Sequence, residues 1–127
     1  MAAQDATVAK VRDQLQRDYP DGALTWLEDL TWQGPVQVPL RQISWSNAKA
    51  WAAAKSPQKV ARFAGRMRSG WHKPIVLVRT PNGQVTPVDG HTRLLAARSN
   101  QQPVTAWVGT AKTDHGPWEQ AHARQKP

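Results

Sequence analysis

The sequence contains no cysteine and no long apolar run. The absence of thiols excludes disulfide bonds, thiolate nucleophiles and thiolate metal sites. A membrane-spanning helix needs about 20 consecutive apolar residues, and no stretch approaches that length. The start of the chain also lacks the apolar segment of a secretory signal. We therefore expect a soluble, cytoplasmic protein without membrane contact, and its 127 residues suffice for one domain.

Acidic residues are scarce in the middle of the chain. Residues 41–112 contain five lysines and seven arginines but a single acid, Asp89, so this segment has a net charge of +11. Residues 1–40 have a net charge of −3, and residues 113–127 are neutral. A segment this basic is typical of a surface that meets anions, although a solvated face that keeps the protein soluble is the alternative.

The spacing of apolar residues predicts four helices before residue 70. They are expected over residues 5–19, 23–30, 46–55 and 57–69. The last of these has the clearest signals, because Ser56 can cap it, Pro57 suits its first position and Gly70 can end it. Most of the seven tryptophans are expected to pack in the core or in a lid, and stacking of a nucleic-acid base on one of them is the alternative.

Alternating or continuous apolar residues predict the strands, and the whole pattern indicates a small α+β fold. The strands are expected over residues 36–40, 75–79, 84–88 and 104–108. Pro39 restricts the first of them to a sheet edge or a strand end. Residues 32–35 are expected to form a loop, and the chain beyond Gly109 is expected to be peripheral.

The segment Asp89-Gly90-His91-Thr92-Arg93 lies between the predicted strand 84–88 and a short helix over residues 94–98. Free N–H groups at a helix start favour anions, glycine allows a ligand to approach, and the arginine fork matches phosphate oxygens. Asp89 could hold a metal ion or orient His91, which could donate to a phosphate or act as a base. The alternative is that Asp89 only caps the helix and Arg93 is a surface charge.

Other cationic residues could add to such a site. His72-Lys73 precedes the strand at Ile75 and either adds positive charge to the rim of the phosphate pocket or simply starts the strand. A cationic stripe follows one side of the predicted helices before residue 70 and is a candidate nucleic-acid surface: Lys55, Lys59, Arg62 and Arg66. Asp114, His115 and His122 are a weaker candidate for a metal site, because Gly116-Pro117 interrupts any helix between the histidines.

The order of these motifs resembles the ParB/sulfiredoxin-like superfamily, also called ParB-like nuclease domains. The resemblance rests on Gly70, Lys73-Pro74-Ile75, Asn82-Gly83, the run from Val88 to Ala97 and the strand near Val104. It implies a small mixed sheet with flanking helices as a nucleotide-binding core over residues 36–109. Residues 1–35 would then be a helical N-terminal extension and residues 110–127 a C-terminal tail.

The resemblance implies that Gly90 and Arg93 cradle the phosphates of a nucleotide such as CTP, ATP or ADP with Mg²⁺. The turn is most similar to the Asp-Gly-His-His-Arg of free serine kinases, with Thr92 in place of the second histidine. Those kinases also use an upstream glutamate, and residues 43–58 contain no acid. His91 stands where sulfiredoxins have their catalytic cysteine, which excludes that redox chemistry.

Softer similarities in the flanks, such as Trp32-x-Gly34-Pro35 and Gly116-Pro117-Trp118, resemble ParB-like domains of tailed bacteriophages. They imply a location in the host cytoplasm or the virion.

Three functional hypotheses follow. The first is nucleotide or nucleic-acid phosphate binding at the turn, and the second is a DNA- or protein-binding module that uses its basic face without catalysis. The third is a nuclease or an ATP/ADP-dependent phosphotransferase with Asp89 and His91 as catalytic groups and Asp89 as a metal ligand. A homodimer is compatible with all three.

Overall fold

The computed structural model describes residues 2–18, 24–45 and 56–118. These residues form a small mixed α+β domain. Its elements in chain order are helix α1 (Ala2–Asp18), a 3-10 helix (Thr25–Asp29), strand β1 (Thr31–Val38), a second 3-10 helix (Leu40–Gln42), helix α2 (Pro57–Arg68), strands β2 (Ile75–Arg79) and β3 (Val85–Asp89), helix α3 (His91–Ser99) and strand β4 (Val104–Thr110).

The four strands form one mixed sheet in the order β1-β4-β2-β3. Strands β2 and β3 pair antiparallel as a hairpin, and β1 pairs antiparallel with β4. Strand β4 lies parallel to β2, with Ile75 opposite Ala106. Helix α3 makes the crossover that a parallel neighbour requires, because it connects β3 to β4 across the sheet.

Helix α1 covers one face of the sheet. Its apolar side buries Val8, Val11 and Leu15 in a cluster with Val76 and Val78 of β2. Trp26, Trp32, Trp107 and Trp118 belong to the same cluster. The amphipathic helix predicted over residues 5–19 is therefore confirmed as far as Asp18, and most tryptophans that the structure describes are core residues.

Helices α2 and α3 cover the other face. Ala64 and Met67 of α2 pack with Leu94 of α3 against Ile75 and Leu77 of β2. Alternate residues of a strand point to opposite faces of the sheet. Val76 and Val78 of β2 therefore face α1, whereas Ile75 and Leu77 face α2. Helix α1 and helix α2 therefore lie on opposite sides of the sheet.

Both ends of α2 follow the sequence signals. The Ser56 hydroxyl accepts a hydrogen bond from the Lys59 N–H at 3.3 Å, and Pro57 occupies the first helical position. Gly70 adopts a left-handed φ of 97° just after the helix, as a C-terminal cap requires. The hairpin, the buried strand 75–79 and the last strand are likewise confirmed.

The expected loop at residues 32–35 is wrong, because these residues belong to β1. Gly34 and Pro35 lie where the register of β1 against β4 shifts, between Gln33 and Val36. An edge strand tolerates a proline at such an irregularity, since the missing N–H need not reach a neighbour. The edge position expected from Pro39 is confirmed, because β1 is an edge strand that ends at Val38.

The chain after β4 is also less peripheral than expected. Ala111 and Trp118 are buried, and the Trp118 ring lies 6.3 Å from that of Trp26. Asp114 accepts a hydrogen bond from the Asn82 N–H at 2.9 Å, which ties this segment to the hairpin turn. The burial of its apolar side chains, rather than the mean polarity of the segment, determines where this segment lies on the fold.

Two further elements differ markedly from the prediction. The helix expected over residues 23–30 is a 3-10 helix of five residues, Thr25–Asp29. Helix α3 begins at His91 rather than at Leu94, so three residues of the candidate turn form its first turn. The helix expected over residues 46–55 lies outside the described residues, as do Tyr19-Pro20 and His122.

Among the described residues, no helix is both long enough and apolar enough to cross a lipid bilayer.

Candidate functional site

Gly90 makes the sharp connection from β3 into α3. Its φ is 92°, in the left-handed region that side chains disfavour. A Cβ at this position would lie 2.3 Å from Ile75 Cγ2 and 2.7 Å from Ile75 Cβ. The glycine is thus required by the close passage of the turn over β2, which explains it without reference to a ligand.

Gln14 and Arg93 connect the same two acceptors beneath this turn. The Gln14 Nε2 donates to Asp89 Oδ2 at 2.9 Å and to the Pro74 carbonyl at 2.8 Å. The Arg93 guanidinium donates to Asp89 Oδ2 and to the Pro74 carbonyl, both at 3.3 Å. This buried network, formed by Gln14, Pro74, Asp89 and Arg93, joins α1 to the start of β2, the end of β3 and the first turn of α3.

The buried network is almost closed to solvent. Asp89 is 1% exposed and Arg93 is 8% exposed, while the neighbouring His91 is 2% exposed. Ion pairs of this kind persist in a core because each charge neutralises the other and the remaining polar atoms find donors or acceptors. In this arrangement the fork of Arg93 points to a carboxylate of the same chain.

The residues predicted for the phosphate site differ in how far they are buried. Asp89, Gly90, His91 and Arg93 are buried, and Thr92 is half-buried at the start of α3. Lys73 is exposed, and the carbonyl of the next residue, Pro74, accepts from Arg93. The exposed ammonium of Lys73 therefore lies on a chain segment that contacts the turn.

The cationic stripe is confirmed as an exposed surface where the structure describes it. Lys59, Arg62 and Arg66 are all exposed along α2, and we call these three residues the basic face. Their spacings of three and four residues place them on one side of the helix. Lys55, the fourth member of the predicted stripe, lies outside the described residues.

One arginine of the basic face is stacked on aromatic rings. The Arg66 guanidinium carbon lies 4.1 Å from the ring centroid of Trp71 and 5.6 Å from that of Phe63. The two rings are 5.4 Å apart and half-buried against the apolar cluster beneath α2. We call this group of three the aromatic column. A cation held over an indole ring is stabilised and oriented by the ring electrons.

Sequence reasoning missed Gln14 and Trp71. Gln14 is 7% exposed although it is polar, and it lies next to Leu15 on the apolar side of α1. A glutamine inside an apolar stripe is the signal that could have marked it, because buried amides need partners. Trp71 carries a weaker signal, as a tryptophan within five residues of Arg66 and two of Lys73.

Within the described ranges, no group of three or more histidine, aspartate or glutamate side chains is placed to hold a metal ion. The Oδ2 atom of Asp89, the predicted metal ligand, accepts hydrogen bonds from both Gln14 and Arg93.

Comparisons with protein-family models, with curated proteins and with solved structures found no significant match to this chain.

Proposed function

We propose that this protein binds the phosphate backbone of nucleic acid through the basic face of α2. The observation that carries the proposal is the burial of the one acid in residues 41–112, since Asp89 is 1% exposed and paired with Arg93. Every exposed ionised side chain of the described part of this segment is therefore a lysine or an arginine. They are Arg41, Lys59, Arg62, Arg66, Arg68, Lys73, Arg98 and Lys112.

A helix face with several exposed cations suits a polyanion better than a single small ligand. Each lysine or arginine that neutralises a phosphate releases condensed counterions, and affinity then depends on the number of contacts rather than on base sequence. No acidic side chain lies between the members of the basic face along α2 to repel the strand. The basic face spans about two helical turns, which is enough for three or more phosphate contacts.

The test is a salt titration of the wild-type protein with a fluorescently labelled oligonucleotide of mixed sequence. We expect the affinity to fall steeply with salt, with a slope of log K against log[salt] of about −2 or steeper, because each of three phosphate contacts contributes about −0.7 to −0.9. A second oligonucleotide of unrelated sequence should give the same curve. Absence of binding at about 50 mM salt, or binding that ignores salt, would overturn the proposal.

A second candidate is a nucleotide at the 89–93 turn, as the resemblance to ParB-like domains implies. It is favoured by the left-handed cap at Gly90 ahead of α3 and by the exposed Lys73 beside Pro74. Phosphate would then meet Thr92 and Lys73 at the rim, with Arg93 recruited from Asp89. We expect CTP, ATP or ADP with Mg²⁺ to raise the melting temperature, and Lys73→Gln to reduce the shift. Equal melting with and without every nucleotide would exclude this candidate.

A further inference from the structure

The aromatic column is placed at the end of the basic face rather than away from it. Trp71 follows α2 by three residues, and Arg66, which lies over its ring, is itself a member of the basic face. The column therefore combines a positive charge with a stacking surface at one point. Lysines and arginines alone would provide only the charge.

The geometry of the column leaves its outer side accessible. Phe63 and Trp71 are half-buried, and their inner sides pack against the core, whereas Arg66 is exposed. Gly70, beside Trp71, is also exposed, and apart from its two chain neighbours no described residue lies within 4 Å of the place where its Cβ would stand. A planar group can thus approach the guanidinium from the solvent side.

We propose that the aromatic column receives an unpaired base, and that the preferred partner is single-stranded nucleic acid. This inference rests on the proposed function, because the phosphates on either side of the base would lie along the basic face. The Arg66 guanidinium carbon lies over both rings, 4.1 Å from the centroid of Trp71 and 5.6 Å from that of Phe63, so a base on its solvent side would add one more planar group above the pair of rings. Stacking on aromatic rings and on arginine planes is a general way of holding unpaired bases.

The duplex is the alternative partner, and the same chemistry disfavours it. Bases inside a duplex already stack on each other, so a side-chain plane on a protein surface has no base face to contact except at an end. The basic face would contact duplex phosphates, but the aromatic column would add nothing. A preference for single strands over duplexes is therefore the signature of the column.

Arg66→Lys is the sharpest variant, since lysine keeps the positive charge but lacks the planar group that stacks. Arg17→Lys is the control, because Arg17 is also exposed but lies on α1, on the opposite side of the sheet from the basic face and the aromatic column. Affinities for a 12-nucleotide single strand and for the duplex of the same sequence are measured by fluorescence anisotropy at one salt concentration.

We expect Arg66→Lys to weaken single-strand binding about fivefold, which is the lower end of the effect of one base stack, and to change duplex binding less than twofold. Arg17→Lys should change both by less than twofold. Trp71→Leu, which keeps apolar packing, should reproduce the loss seen with Arg66→Lys. Equal effects of Arg66→Lys on the two substrates would overturn the inference while leaving the proposed function intact.

A measurement on the wild-type protein guards against a variant that fails to fold. A single strand carrying 5-iodouracil, irradiated in the complex, should crosslink to the peptide that contains Trp71. Crosslinks confined to other peptides, or wild-type affinity that is equal for single strand and duplex, would contradict the inference. Failure of the wild type to bind either substrate would instead overturn the proposed function on which it rests.

Discussion

Asp89 is held by side chains that reach it from distant parts of the chain. Gln14 comes from α1 and Arg93 from α3, and both also donate to the Pro74 carbonyl ahead of β2. The carboxylate therefore fixes the position of two helices relative to the sheet. Because it is buried and paired, it does not weaken the positive potential of the surface above it.

Replacing Gln14 should cost stability beyond the loss of an ordinary helix residue. Gln14→Ala leaves two buried acceptors with one donor fewer, and we expect the free energy of unfolding to fall by about 2 kcal/mol. Gln16→Ala is the matched control, because Gln16 is exposed on the same helix. Urea denaturation of the two variants measures the difference. Equal stability of the variants would show that the buried network does not stabilise the fold.

Alanine substitutions at Gly90 and Gly83 distinguish the stability cost of backbone strain from the cost of steric overlap. Their φ angles are nearly equal, at 92° and 87°, but a Cβ would overlap Ile75 at Gly90 and would contact no described residue at Gly83. We expect Gly83→Ala to cost about 1 kcal/mol from the left-handed backbone alone. Gly90→Ala should cost about 3 kcal/mol because overpacking is added. Thermal melting of both variants tests this, and equal costs would contradict the close passage over β2.

The sequence correctly marked the turn as the place where a strand passes into a helix, since glycine and the apolar runs on both sides are local signals. It did not reveal that Arg93 pairs with Asp89, nor that Gln14 joins them. Gln14 is 75 residues from Asp89 along the chain, so only tertiary packing brings the two side chains into contact. A solvent-facing phosphate fork and a buried ion pair use the same residue types, and local sequence does not distinguish them.

Among the elements, α2 was predicted almost completely and β1 only in part. The cap, the apolar spacing and the terminal glycine of α2 are all contained within residues 56–70. The middle of β1 contains Gly34 and Pro35, which disfavour strands locally, and the residues on both sides of them are extended because β4 pairs with them. Pairing between residues about 75 positions apart outweighs weak local preferences.

The segment after β4 is attached to the fold by one large buried side chain as well as by the Asp114–Asn82 hydrogen bond. Trp118 is 4% exposed and packs in the tryptophan cluster beneath α1. We expect Trp118→Ala to lower the free energy of unfolding by about 3 kcal/mol, because it removes a buried indole and leaves a cavity. Lys112→Ala, an exposed position in the same segment, should change stability by less than about 0.5 kcal/mol. Similar urea midpoints for the two variants would mean that Trp118 contributes little to the core.

At the scale of the whole molecule, the two sides of the sheet differ in charge. Helix α1 has three acids and three bases and is neutral, whereas α2 contains Lys59, Arg62, Arg66 and Arg68 and no acid, a net charge of +4. Since α1 and α2 cover opposite faces, this positive charge lies on the α2 side of the sheet. A polyanion approaching this molecule is therefore oriented toward the α2 side.

Two charge reversals of equal size test that orientation directly. Lys59→Glu with Arg62→Glu alters the basic face, and Lys10→Glu with Arg17→Glu makes the same change on exposed positions of α1. Binding of a labelled oligonucleotide is measured for both double variants at the same low salt concentration. We predict that the α2 reversal lowers the affinity at least about tenfold and that the α1 reversal lowers it less than threefold. Equal losses would show that net charge alone drives binding, and that result would contradict a nucleic-acid site on α2.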